Sequence, residues 1–308
     1  MTLLAWHEVS MITIAHYLQY VALSMLTGVL ALLPLPLAIR FGKGLGRIFY
    51  IFDKRHREVT KQNIRASLGT GLRQADLDRI AISCFENLGL SLTEMVRAEK
   101  MTAPELMKNI TIEGMENYQA AIRQGKGVVL IGAHFGSWEL LGIIISIILK
   151  RVYAVARKLD NPFIERKLGR IRSSKGNLTL NKNDAFWEMI RLLKNGEIVA
   201  VLMDQNVTRR EGVFVPFFGQ PACTNKGLAM ILLKTGTPAV PVFMVRRPDG
   251  THRVEIKPAI SLVHTGNLKS DIRENTAQIT ISIEEMVRKH PEQWFWMHRR
   301  WKTKEGQG

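Results

Sequence analysis

His134 and Glu139 stand within the segment GKGVVLIGAHFGSWELLG, which runs from Gly125 to Gly142. An imidazole is the side chain best suited to taking and returning a proton near neutral pH. A carboxylate on one of its nitrogens fixes the tautomer and stabilises the cation. The apolar run Gly127 to Gly132 should be a strand that delivers His134 to its C-terminal end. Gly136 and Ser137 should then open a helix, with Ser137 as its N-cap. Glu139, in the first turn of that helix, is expected to fold back onto one imidazole nitrogen, so that the other can accept a proton from a substrate hydroxyl. Taken alone, the spacing would equally suit a helix-capping histidine beside a solvated glutamate.

Other residues could bind rather than react. Arg157, Lys158, Arg170 and Arg172 are candidates for holding phosphate, because a guanidinium offers a planar fork to phosphate oxygens. Arg157 follows a predicted strand and is the first choice. Asp204 and Gln205 follow another predicted strand, at the end that faces the ligand crevice in α/β sheets; the carboxylate could bind a sugar hydroxyl, brace an arginine, or simply start a turn. Val213 to Gly219 could form a wall of an apolar channel, although Phe214 suits a core. Thr224, Asn225 and Lys226 open a predicted helix, a position suited to an anion. The C-terminal WFWMHRRWK mixes Trp294, Trp296 and Trp301 with Arg299, Arg300 and Lys302. That mixture suits either the headgroup zone of a membrane or a chain end packed on a sheet.

The elements that must position these residues alternate. Strands are expected at Gly127 to Gly132, Val152 to Ala156, Leu178 to Leu180, Ile198 to Met203, Ala239 to Val245 and Arg253 to Ile260. Helices are expected at Trp138 to Leu149, Pro162 to Ser173, Asp184 to Lys194, Lys226 to Thr235 and Ile272 to Lys289. Such alternation predicts an α/β domain with a central mixed sheet flanked by helices. Two further helices, Arg55 to Leu68 and Gln74 to Arg97, carry apolar residues at helical spacing and should brace the domain.

Ahead of them, Val9 to Ile39 contains no Asp, Glu, Lys or Arg. A bilayer needs roughly 20 apolar residues to be crossed by a helix. The run lacks the basic start and small-residue cleavage site of a signal peptide. Pro34 and Pro36 should end this helix, and Arg40, Lys43, Arg47, Lys54, Arg55 and Arg57 follow, which by the positive-inside rule places the domain on the cytoplasmic face. We therefore expect an anchor over residues 1–41, either spanning or lying in the interface, and a catalytic domain over residues 42–308.

The 308 residues include 43 Lys and Arg against 27 Asp and Glu, a formal charge of +16. Such a surface seeks acidic partners: anionic lipid, an acidic carrier protein or nucleic acid. No nucleic-acid-binding signature accompanies the charge, which argues against the last. The two cysteines and eight histidines form no paired-ligand pattern, so neither a disulfide framework nor a metal site is expected, and turnover should be metal-independent.

Several segments together resemble one family, the late acyltransferases of bacterial lipid A biosynthesis within the lysophospholipid acyltransferase superfamily. They are HFGSWE at His134, ARKLDNP at Ala156, RIRSSKG at Arg170, MDQN at Met203, GVFVPFFGQPACTNKG at Gly212, PAVPVF at Pro238 and PEQWFWMHRRWK at Pro291. The resemblance implies that His134 is the general base and Glu139 its orienting acid. It further implies transfer of a fatty acyl chain from acyl carrier protein, or acyl-CoA, to a hydroxyl of a lipid A precursor at the inner membrane, without a covalent acyl-enzyme or other cofactor. The alternative is another lipid or glycolipid acceptor, such as a lysophospholipid, an ornithine lipid or a mannoside.

Overall fold

A computed structural model describes residues 3–69, 71–149 and 151–306 of the chain. In chain order the helices are α1 (Leu3–Leu32), α2 (Leu35–Phe52), α3 (Lys54–Leu68), α4 (Gln74–Lys100), α5 (Ala103–Met107), α6 (Met115–Ile122), α7 (Trp138–Leu149), α8 (Pro162–Ser173), α9 (Ala185–Lys194), α10 (Gly227–Thr235) and α11 (Leu268–Lys289). The strands are β1 (Ile110–Glu113), β2 (Val128–Gly132), β3 (Val152–Ala156), β4 (Leu178–Asn181), β5 (Ile198–Leu202), β6 (Gly212–Phe217), β7 (Gln220–Asn225), β8 (Ala239–Arg246) and β9 (His252–Ile256).

Seven strands form the central sheet in the order β1-β9-β8-β2-β5-β3-β4. The block from β8 to β4 is parallel, whereas β9 runs antiparallel to β8 and carries β1 parallel beside it. The sheet is therefore mixed, as its sequence pattern predicts. Every residue of β2 is buried, as expected for a central strand covered on both faces. Its side chains alternate: Val129 and Ile131 join the core under α4, α9, α10 and α11, while Val128 and Leu130 face α7 on the other side.

The prolines act as expected and then do something the periodicity did not reveal. α1 stops at Leu32, but Pro34 stands at the start of a new helix, α2, with Pro36 in its first turn, where a missing N–H costs nothing. α2 buries Ala38, Gly42 and Gly46, so the boundary expected at residue 41 falls inside a helix packed on α4. The stretch Ile12–Leu32 is long and apolar enough to cross a membrane. It is tied to the domain at both ends: Arg97 donates to the Leu30 and Leu33 carbonyls at 3.1 and 2.6 Å, and Asn161, the N-cap of α8, donates to the His16 carbonyl at 2.8 Å.

Candidate active site

The chain leaves β2 at Gly132 and turns through Ala133 to Ser137 before entering α7. Gly136 makes that turn possible, because its φ is +56° and a Cβ there would lie 1.9 Å from the Met244 carbonyl oxygen. Both polar backbone groups of Gly136 are held: its N–H donates to the Gln293 carbonyl at 2.8 Å, and its carbonyl accepts from Asn87 and Ser91 at 3.1 and 2.9 Å. Asn87, Ser91 and Glu94 lie along one face of α4, where Glu94 forms a two-pronged ion pair with Arg246 at 2.7 and 2.6 Å. The N–H of Phe295 donates to the His134 carbonyl at 2.9 Å. The turn is thus fixed from α4 on one side and from the C-terminal segment on the other. Gly136→Ala should cost on the order of 3 kcal/mol, read as a lowered urea midpoint.

His134 sits at the C-terminal end of β2 with its side chain 21% exposed. Its Nδ1 lies 2.8 Å from Oδ1 of Asp204, and its own backbone N–H donates to Oδ2 of the same carboxylate at 2.9 Å. The Trp294 indole N–H donates to Oδ2 as well, at 2.8 Å. Asp204 can only accept, so Nδ1 carries the proton and Nε2 is the acceptor nitrogen of the ring. Gln205 places its Nε2 3.4 Å from that nitrogen. Burial alone would push the imidazole down, but the Asp204 charge and hydrogen bond, with the Glu139 charge behind them, outweigh it and raise its pKa. Burial would likewise raise Asp204, yet the His134 charge and the converging hydrogen bonds bring it down to about 2. Nearby His298, pushed down to about 4 chiefly by burial, is neutral and accepts from the Asn206 N–H at 2.9 Å, fixing the loop behind Asp204.

The carboxylate on the imidazole therefore belongs to Asp204 and not to Glu139, which corrects the expected geometry. In the first turn of α7, Glu139 points toward α8, where Arg172 meets it with both arms of its guanidinium at 2.9 and 2.5 Å. Glu139 reaches His134 only through space. The protein groups that Asp204 meets are the His134 ring and backbone N–H and the Trp294 indole. Arg172, half-buried on α8, pairs with Glu139 and lines a cavity with it.

The cavity that this pair lines has a volume of about 130 Å³ and lies between α7 and the sheet; its wall is otherwise largely apolar, with Asn177 and Thr179 as its other polar side chains. Its room comes from small residues: Ala200 stands between Leu130 and Ala154 in register across β2, β5 and β3, and Gly132 pairs with Leu202 in the same register of β2 and β5. Val213 to Gly219 contributes nothing to this wall. It forms the β6–β7 hairpin and the turn between its strands, with Phe217 and Phe218 buried in the core under α11.

The structure brings together His134, Glu139, Arg172, Asp204 and Gln205. Arg157, Lys158 and Arg170 lie outside that cluster and are exposed, Arg157 pairing with the neighbouring Asp160 at 2.8 Å. The N-terminus of α10 is taken by the Asn225 side chain, which accepts from the Gly227 N–H at 2.7 Å, while Thr224 is fully buried against Arg300. Trp294, Trp296, Trp301 and Arg300 are all buried, so this part of the C-terminal segment is core rather than headgroup anchor. Sequence reasoning misses Trp294 and Asn87 as site residues. Asn87 carries one signal, a lone amide on the apolar face of a predicted helix.

The mixed sheet thus holds a carboxylate-bound imidazole at a strand end, near a largely apolar cavity, an arrangement with the parts for proton transfer. The family model for bacterial lipid A biosynthesis acyltransferase matches residues 8–303. The chain belongs to that family and is an acyltransferase. It is 30% identical over 277 residues to a lipid A biosynthesis lauroyltransferase of Escherichia coli (strain K12), covering 88% of this chain and 87% of that protein. It is 28% identical to the palmitoleoyltransferase of the same organism over 88% of this chain and 87% of that one. It is also 24% identical to a phosphatidylinositol mannoside acyltransferase of Mycobacterium tuberculosis (strain CDC 1551 / Oshkosh), over 79% of this chain and 77% of that one.

Proposed function

We propose that this chain moves a fatty acyl chain from the thioester of acyl carrier protein to a hydroxyl of a lipid A precursor, at the cytoplasmic face of the inner membrane. The observation that carries the reading is the His134 Nε2, left as an acceptor by the bond from Nδ1 to Asp204, on a ring that packs 5.5 Å from that of Trp138, a residue of the cavity wall. Neutral His134 takes the proton of the acceptor hydroxyl as its oxygen attacks the thioester carbonyl. The tetrahedral intermediate then collapses to the new ester, and the departing thiolate takes the proton back from the imidazolium. Glu139 and Arg172 line the cavity, where their mutual pairing keeps a buried charge from facing the acyl chain alone. Arg157, Lys158 and Arg170 are exposed cations that suit the acidic carrier or substrate phosphate, and the apolar α1 packs on α8, the helix that carries Arg172, which suits an acceptor delivered from a bilayer.

The test is a transfer assay in mixed micelles with acyl carrier protein thioesters and acyl-CoA of graded length, offering a tetra-acylated lipid A precursor beside a mannoside glycolipid and a lysophospholipid. Transfer to the lipid A precursor is expected; transfer only to the mannoside would favour the second reading that the mannoside acyltransferase relatives raise. In the same assay, Ala154→Leu or Ala200→Leu should fill the cavity and move donor preference toward shorter chains by about tenfold or more.

A further inference from the structure

We propose that α2 is an in-plane docking helix whose outer stripe, Leu37, Phe41, Ile48, Ile51 and Phe52, lies at the boundary between headgroups and acyl chains of an anionic bilayer. The inference goes beyond the acyl-transfer reading and shares with it only the membrane setting.

At 3.6 residues per turn, α2 divides into three stripes. The inner one is made of small residues and is locked. A Cβ at Gly42 would stand 2.4 Å from the Thr93 hydroxyl, one at Gly46 would stand 2.2 Å from the Phe85 carbonyl oxygen, and one at Gly89 would stand 2.1 Å from the Gly42 carbonyl oxygen. The backbones of α2 and α4 therefore touch, and α2 cannot roll to hide its other side. That other side is apolar and open: Leu37 is 48% exposed, Phe41 42%, Ile48 53%, Ile51 58% and Phe52 78%. An exposed apolar stripe of this length marks a surface that something covers.

The third stripe, Arg40, Lys43 and Arg47, runs alongside and is exposed; Arg47 also reaches Glu86 at 2.5 Å. An apolar stripe edged by cations is the pattern of a helix lying in a membrane interface. Its other natural cover, a second copy of the chain, is disfavoured by charge. A two-fold interface would bring the same patch against itself and crowd Arg40 and Lys43 against their own equivalents. The stripe also continues a membrane-type surface, since only Leu33 and Pro34 separate α2 from the apolar α1, whose Ile12–Leu32 window is 11% buried.

The arrangement links the bilayer to the site. Gly89 of α4 touches α2, while Asn87 and Ser91 on either side of it in sequence hold the Gly136 carbonyl. The plane in which α2 lies thereby sets the height of His134 above the membrane.

The test uses the full-length protein with single nitroxide labels at Leu37→Cys, Phe41→Cys, Ile48→Cys and Phe52→Cys, since Cys84 and Cys223 are buried. Arg40→Cys and, on exposed α6, Gln119→Cys serve as references. On phosphatidylglycerol-rich vesicles, the four stripe positions should become at least several-fold less accessible to a water-soluble nickel chelate and more accessible to oxygen. The Gln119 label should not change, and the Arg40 label should stay near the headgroups. Stripe labels that stay open to nickel on the vesicles would overturn the proposal. So would dipolar broadening between labels, which would mean a second copy on the stripe. Phe41→Asp with Ile48→Asp should keep turnover on a detergent-dispersed acceptor and lose about tenfold on a vesicle-embedded one, whereas equal turnover in both would count against docking. The label depths are read without any turnover, so a failure of the acyl-transfer reading leaves them decisive.

Discussion

His134→Ala should lower acyl transfer on the order of 10³-fold with the fold intact, as measured by initial rates of labelled acyl transfer and by thermal unfolding. General base catalysis contributes roughly 10²–10⁴-fold where the base is well placed. Here Nε2 is the ring nitrogen left to accept, and Gln205, the polar neighbour at 3.4 Å from it, is an amide that cannot take a proton at neutral pH. The fold should survive because Asp204 keeps two of its donors, the backbone N–H of residue 134 and the Trp294 indole. In the wild type the base must be neutral to act, so kcat/KM should rise with pH. Because the Asp204 carboxylate raises the His134 pKa, the inflection should lie above the ordinary histidine value of about 6.5. The same shift has a stability sign: the contribution of His134 is complete below its unfolded pKa and is lost as pH rises through the folded one.

Asp204→Asn should also lower transfer, by about 10²–10⁴-fold, and should move that inflection downward. An asparagine oxygen could still accept from Nδ1, but its NH₂ would then face the His134 N–H and the Trp294 N–H, two donors that Oδ2 now satisfies. The amide is driven to turn, and the imidazole takes the wrong tautomer. By the same mechanism, exchanging the buried aspartate of a serine protease triad for asparagine costs that unrelated enzyme about 10⁴-fold. Glu139→Gln should slow the enzyme for a different reason, by leaving Arg172 without its carboxylate in the cavity wall. Its charge acts on His134 only across space, so the inflection should move less than in Asp204→Asn. Rate profiles of the two variants against pH separate the residue that orients the base from the residue that lines the cavity. Equal downward displacement in both would mean that Glu139 shares the orienting role.

The resemblance carried by HFGSWE, MDQN and PEQWFWMHRRWK identified the family to which the chain belongs, and the alternation of β-rich and helical runs predicted the mixed sheet. Those signals are local. A strand buried on both faces reads as an apolar run, and a proline after an apolar helix reads as its end. α2 escaped notice because its inward face is made of Ala38, Gly42 and Gly46 rather than large apolar residues. Helical periodicity looks for bulk, whereas this helix packs by lacking it. Aromatic and cationic residues in the C-terminal segment gave an ambiguous pattern, since a membrane belt and a core with one buried arginine draw on the same side chains.

Sequence by itself determined that His134 would stand at a strand end with a carboxylate close by in the chain, and that an apolar N-terminal helix would precede an α/β acyltransferase domain. Only the tertiary structure decided which carboxylate holds the imidazole. Glu139 is near in sequence but leaves α7 toward Arg172, whereas Asp204 is distant in sequence and adjacent in space, because β5 pairs with β2 in parallel register and both strands end at the same edge of the sheet. A parallel pair brings together residues that the chain separates by a whole crossover, and no local spacing records that.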